Sequence, residues 1–224
     1  MNYSWLLFDA DGTLFDFDLA EKLALQSVLE QLHHPFTEGA YTSYKTINKQ
    51  LWENFEKGNI KQSEIKTQRF EKWLSLLNIQ ADVEKVSQHY VHQLATQGPL
   101  LEGARELIQR LAPKYKMMII TNGLKEVQRP RFNASLIRPY FADIVVSGEV
   151  GVAKPEVGIF DIAFEKMGRP DKNEVLMIGD SLSADMQGGL NYGIDICWYN
   201  PQRALTDLAV THTIYNLPEL EDIL

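Results

Sequence analysis

Acidic residues, a threonine and a lysine stand just beyond short apolar runs, and together they could move a phosphoryl group. Asp9 and Asp11 follow the run Trp5–Phe8 and are separated by one residue. If the backbone stays extended through them, both side chains point the same way, since alternate residues of a strand share a face. Gly12 then relieves the crowding of a turn. Like charges this close raise the pKa of one carboxyl, and a divalent cation removes much of that penalty. A donor set made only of oxygens suits Mg²⁺, with Mn²⁺ as a substitute. Asp180, beyond the run Val175–Ile178, is the natural third oxygen ligand beside Asp9 and Asp11.

Phosphoryl chemistry supplies roles for such a set. A carboxylate can attack phosphorus and form an aspartyl phosphate. A second can protonate the leaving oxygen and then activate water. Thr121 can donate a hydroxyl hydrogen bond to the phosphoryl group. Lys154 can neutralise charge on the aspartate and the phosphoryl oxygens. Each residue alone has an ordinary structural reading. Thr121 could be a strand-end residue, Lys154 a solvated loop lysine before Pro155, Asp180–Ser181 a helix cap, and Asp185 an acid in a helical first turn. Their joint occurrence, in this order and each beyond an apolar run, points to one site.

The elements that must position them are legible as runs. Strands are expected at Trp5–Phe8, Met117–Ile120, Ile144–Val146, Val175–Ile178 and Ile194–Trp198, with a short edge strand at Thr213–Tyr215. The runs are almost continuously apolar, as strands covered on both faces are. Amphipathic stretches alternate with them: Ala104, Leu107, Ile108 and Leu111, then Ile159, Ile162, Ala163, Phe164 and Met167. Strand and helix in alternation predict an α/β, Rossmann-like, three-layer core around a parallel sheet. In such sheets ligands bind beyond the carboxyl ends of the strands, where the polar residues stand.

The segment from Asp16 to Gln97 lacks a strand run and has helical spacing at Leu25, Val28, Leu29 and Leu32, then Phe70, Trp73, Leu74 and Leu77. A simple crossover needs far fewer residues, so a helical insertion is expected here. The competing expectation keeps these helices as layers of one domain.

Composition narrows the classes further. The 224 residues carry 22 Lys and Arg against 30 Asp and Glu, a net charge of −8. That speaks against a nucleic-acid polymer as partner, since neutralising phosphates needs concentrated Lys and Arg. The single cysteine, Cys197, excludes a disulfide scaffold within the chain and reads as a small buried hydrophobe. The N-terminus does not read as a signal peptide, and no run is long enough to span a membrane. A cytoplasmic protein with no membrane partner is expected, as a monomer or homodimer.

Asp9-Ala-Asp11-Gly12-Thr13-Leu14, Thr121-Asn122-Gly123, Gly151-Val-Ala-Lys154-Pro155 and Gly179-Asp180-Ser-Leu-Ser-Ala-Asp185 resemble the four motifs of the haloacid dehalogenase-like hydrolase superfamily. The resemblance implies a catalytic core over 1–15 and 98–224 and a helical cap over 16–97. It implies Asp9 as nucleophile and Asp11 as general acid/base. Thr121, Asn122 and Lys154 would hold the phosphoryl group. Asp9, the backbone carbonyl of Asp11, and Asp180 would ligate Mg²⁺, with Asp185 supporting that shell or pairing with Lys154. Trp5–Asp11, Asn48–Trp52, Arg69–Trp73 and Ser147–Pro155 look like the pyrimidine 5′-nucleotidase group within it. The partner implied is a small phosphorylated metabolite, a nucleoside monophosphate first. Trp52 and Phe55 could stack on a base or could be core residues of the cap. Gln128 and Arg131 stand at family-like positions, while Pro130 falls where an early helix should run.

Four other activities compete. A dehalogenase would share the nucleophile, but a halide leaving group needs no acid such as Asp11. A sugar-phosphate phosphatase or a phosphomutase would share the core chemistry, and the cap would decide. A phosphate-binding module without turnover is disfavoured by the complete acid/base and lysine set.

Overall fold

In a computed structural model describing residues 3–224, the chain divides into two compact units. One joins the residues up to Phe17 to Gly98–Leu224; the other is Asp18–Gln97.

The first unit is built on a six-stranded sheet: β1 Trp5–Phe8, β2 Lys116–Thr121, β3 Ile144–Val146, β4 Val175–Gly179, β5 Asp195–Tyr199 and β6 His212–Ile214. The order is β3-β2-β1-β4-β5-β6, and every neighbouring pair is parallel. The helices are α1 Phe17–Gln31, α2 Glu38–Glu56, α3 Gln62–Leu76, α4 Val83–Thr96, α5 Ala104–Leu111, α6 Lys125–Ala134, α7 Ser147–Val150, α8 Val157–Lys166, α9 Gln187–Tyr192 and α10 Leu220–Ile223.

Alternation along the central strands builds a core on both faces. Leu6, Phe8, Met117 and Ile119 pack with Leu107, Ile108 and Leu111 of α5 and Phe132 of α6. Trp5, Leu7, Met118 and Ile120 pack oppositely, with Ile159, Phe160 and Ala163 of α8. Each side chain so buried contributes roughly 1.5–3 kcal/mol relative to exposure. The edge strand β6 runs one residue earlier than its apolar pattern suggests, because Asn200 N–H bonds the Ile214 carbonyl and closes the ladder there.

The chain enters the sheet at β1 and adds β2 and β3 on one side, then β4 to β6 on the other. Between β1 and β4 the direction of winding reverses, which opens a crevice at the carboxyl ends of those two strands. Asp9 and Asp180 are the residues immediately after these strands.

The second unit holds most of α1 together with α2, α3 and α4. Thr37 and Asp82 cap α2 and α4 by accepting from the N–H of Ala40 and Lys85. Tyr44, Phe70, Trp73 and Tyr90 form the aromatic interior. Within it lies Glu21, 2% exposed, whose carboxylate accepts from Asn48 Nδ2 at 2.9 Å and the Tyr90 hydroxyl at 3.3 Å. The Arg69 guanidinium lies over the Phe70 and Tyr90 rings. Among the described residues, no helix is long and apolar enough to cross a membrane.

Candidate active site

The strand ladder carries on from Phe8 as far as Asp9, whose N–H bonds the Ile178 carbonyl at 2.8 Å. It then stops. Leu14 and Phe15 both direct their N–H groups to the Ala10 carbonyl, and Gly12 N–H bonds back to Phe15. Gly12 has φ of 80°, and a Cβ there would lie 2.6 Å from an Asp180 carboxylate oxygen, so only glycine fits this turn. The expectation of an extended backbone through Asp9 and Asp11 is therefore wrong. The tight turn sends their carboxylates to different partners.

Asp9 turns to Lys154. The Lys154 ammonium donates to Asp9 Oδ1 at 2.5 Å, to Asp185 Oδ1 at 2.6 Å and to the Ile120 carbonyl at 2.8 Å. A lysine has three N–H groups, and all three are engaged. Lys154 is 2% exposed. Burial alone would lower its pKa, but Asp185 and Asp9 outweigh that and hold it protonated, above the ordinary lysine value. Burial raises Asp9 well above the usual carboxylate range; Lys154 pulls it back, and Asp185 and Asp180 push it further up.

Asp185 reaches this point from one wide helical turn over Leu182–Met186. Its other oxygen accepts from Ser181 N–H at 3.0 Å, and Ser181 Oγ caps Ala184 N–H. Gly179 makes room, since a Cβ there would meet Asp185 Oδ2 at 2.2 Å. Asp180 accepts from the Thr13 hydroxyl at 3.3 Å and keeps access to solvent. Even so, the walls around it strip part of its hydration, and the Asp185 charge adds to this, raising it to about 7.

Asp9, Asp180 and Asp185 each present a carboxylate oxygen, all within 4.8 Å of one another. Three carboxylates thus face one ammonium. The donors are all oxygen and the local charge is negative, so the residues fit a divalent cation such as Mg²⁺. The carboxylate of Asp11 is outside this cluster. It accepts from Gln128 Nε2 at 2.5 Å and from Arg131 Nη2.

Thr121 ends β2 and is buried, its Oγ accepting from Gly123 N–H at 3.1 Å. The Asn122 amide is engaged at both ends by the Lys154 main chain, donating to its carbonyl and accepting from its N–H, each at 2.8 Å. The side chain expected to reach for phosphate therefore fastens the Lys154 loop to the end of β2. Trp52 and Phe55 lie one turn apart on α2, half-buried and edge to face at 5.7 Å.

Gln128 and Arg131 received no role from the sequence. Their signal was present, a Gln and an Arg three apart on the helix after β2. Their target, Asp11, lies 117 and 120 residues away in sequence. Pro130, between them in α6, has no N–H to offer Glu126, and the helix ends one turn later at Ala134.

A parallel α/β sheet with a carboxylate cluster and a buried lysine at its winding reversal defines a hydrolase class. Residues 3–193 match the haloacid dehalogenase-like hydrolase family, and the chain belongs to it. It is an enzyme of that family's phosphatase kind. It is closely related to the pyrimidine 5′-nucleotidase YjjG of Escherichia coli K12, 37% identical over 100% of this chain and 99% of the relative. The pyrimidine 5′-nucleotidase PynA of Streptococcus pneumoniae R6 is 35% identical, over 100% of this chain and 96% of its own. A crystal structure of the HAD-hydrolase YfnB from Bacillus subtilis bound to magnesium aligns with TM-score 0.94 at 37% identity, covering 100% of this chain and 99% of that one.

Proposed function

We propose that the protein is a Mg²⁺-dependent 5′-nucleotidase hydrolysing nucleoside monophosphates, pyrimidine nucleotides foremost. The chemistry is carried by one observation: Asp9 stands at the carboxyl end of the central strand, one oxygen held by Lys154 and the carboxylate among the cation-fitting set. The substrate class is supported by likeness, over nearly their whole length, to two proteins named pyrimidine 5′-nucleotidases.

In this reading Asp9 attacks phosphorus and the bond to the ester oxygen breaks. Asp11 gives that oxygen a proton, so the nucleoside leaves neutral. Water then attacks the phosphoryl-aspartate, passes its proton to Asp11, and the Asp9–phosphorus bond breaks to free phosphate. Lys154 fixes Asp9 and offsets charge on the phosphoryl oxygens, while the Thr121 hydroxyl donates to them. Asn122 acts by placing Lys154. Asp9, the Asp11 main-chain carbonyl and Asp180 would hold Mg²⁺, with Asp185 behind them, and the ion would supply charge neutralisation at the phosphoryl group. Residues 16–97 serve as the cap, with Trp52 and Phe55 offering a stacking face to the base.

The test is phosphate release from a panel of nucleoside monophosphates and sugar phosphates with excess Mg²⁺. Faster release from UMP, dUMP or dTMP than from hexose phosphates is expected, with loss in Asp9→Asn and in chelator. Trp52→Ala and Phe55→Ala should raise KM for nucleotides more than for sugar phosphates. Preference for sugar phosphates refutes the substrate class; wild-type rates in Asp9→Asn refute the chemistry.

A further inference from the structure

We propose that Gln128 and Arg131 are positioning residues for Asp11, a two-armed clamp holding its carboxylate where it exchanges a proton with the leaving group. This rests on the phosphatase reading above and assigns the acid's support, which that reading leaves open.

The clamp is a closed triangle. Gln128 Nε2 donates to Asp11 Oδ2 at 2.5 Å, and Arg131 Nη2 donates to Asp11 Oδ1 and to Gln128 Oε1, the latter at 2.9 Å. One arm therefore takes each carboxylate oxygen, and the second arm fixes the first. Rotation about the Asp11 side chain breaks at least one bond. Gln128 and Arg131 are each only 2% exposed. The Arg131 guanidinium lies over the Phe15 ring at 4.6 Å, and among the described residues its ion pair is with Asp11. Burying an arginine costs desolvation that an apolar residue of similar volume would avoid. Stability alone therefore gives little reason for arginine here.

Two glycines are shaped to this clamp. A Cβ on Gly123 would meet Gln128 Nε2 at 2.0 Å, and one on Gly98 would meet Arg131 Cγ at 2.9 Å. Neither has a φ in the left-handed region. Both therefore act as spaces that let the two side chains pass. Gly123 thus serves the acid, next in sequence to Asn122, which fastens the Lys154 loop.

The experiment separates the acid's function from general support. Nucleoside is a poor leaving group and needs the proton; p-nitrophenolate is stable as an anion and leaves without one. Single-turnover release of uridine from UMP and of p-nitrophenolate from p-nitrophenyl phosphate is measured for wild type, Gln128→Ala, Arg131→Lys and Gly123→Ala, with Asp11→Asn as reference. A carboxylate displaced by an ångström or so loses a large part of the roughly 10²–10⁴-fold that a general acid supplies. The loss with UMP should exceed that with p-nitrophenyl phosphate about tenfold or more in Gln128→Ala and Gly123→Ala, in the pattern of Asp11→Asn. Arg131→Lys, which keeps the charge and one arm, should fall between. Equal losses with both esters, no loss, or a gain overturns the proposal. If wild type turns over neither ester, the phosphatase reading has failed. The clamp is then judged from a crystal structure of Gln128→Ala, where an unmoved Asp11 carboxylate overturns it.

Discussion

Glu21 gives the helical unit a measurable pH dependence. Its carboxyl is buried among Asn48, Tyr90, Tyr44 and Arg69, and burial, opposed by Arg69 and Lys45 and reinforced by Asp18, raises it from 4.5 to about 7. In the unfolded chain it titrates near the ordinary glutamate value. Below that value both states are protonated and the group contributes nothing. As pH rises toward 7 the unfolded state ionises first, so the native state loses stability; beyond 7 the penalty is constant. At 1.36 kcal/mol per pKa unit the full penalty is about 3 kcal/mol, with about 2–3 of it accruing between pH 5 and pH 8. Glu21→Gln removes the ionisation and keeps an acceptor for Asn48 Nδ2 and the Tyr90 hydroxyl. Its new N–H group has Asn48 Oδ1 nearby, which lacks a partner among the described residues. Urea unfolding of wild type and Glu21→Gln at several pH values should give curves that converge near pH 4 and separate by about 3 kcal/mol at pH 8, the variant more stable. Parallel profiles, or a variant less stable at pH 8, would refute the reasoning.

Three further outcomes follow from contacts in the sheet unit. Lys154→Met leaves Asp9 and Asp185 buried without their cation. It should cost about 3–5 kcal/mol in chelator and lower Tm by roughly 10 °C, read by calorimetry, with a smaller loss when Mg²⁺ is added. Gly179→Ala drives a methyl into Asp185, which Lys154 and Ser181 hold from both sides. It should destabilise by about 1–3 kcal/mol and weaken Mg²⁺ binding in a titration followed by calorimetry. The Cys197 thiol is buried and pushed up to about 12 by that burial. It should resist thiol reagents at pH 8 in the native protein and react at once in denaturant.

The sheet was legible because its strands are buried on both faces and read as apolar runs: Trp-Leu-Leu-Phe at β1 has no other economical use. The polar residues beyond those runs were legible as a group because parallel topology leads them to the same edge. What stayed hidden depends on local backbone geometry or on distant pairing. The chain bends at Ala10, between Asp9 and Asp11, and no spacing rule distinguishes that bend from a continued strand. Gln128 and Arg131 find Asp11 only once β1 and β2 are side by side. Glu21 and Arg69 sit in helices whose spacing marks an apolar face, so charges inside that face were not foreseen. The resemblance implies a phosphate-holding role for Asn122, whereas its amide answers to the Lys154 main chain, in the loop between α7 and α8.

Asn122 makes with Lys154 the same pair of bonds that one peptide group makes with another, so it is a side chain acting as an extra rung of main chain. It is followed by Gly123, and an unshielded glycine nitrogen is the neighbour most able to attack an asparagine side-chain carbonyl, expelling ammonia to form a cyclic imide that water opens to a carboxylate. In the fold that N–H is directed to the Thr121 hydroxyl, and the amide is held at both ends, which restrains the ring closure. Were conversion to occur, the donor would become an oxygen facing the Lys154 carbonyl, and one rung would turn repulsive. Ageing of this protein would then begin at the lysine's own tether, as ammonia lost and a carboxylate gained, leaving every catalytic carboxylate chemically intact.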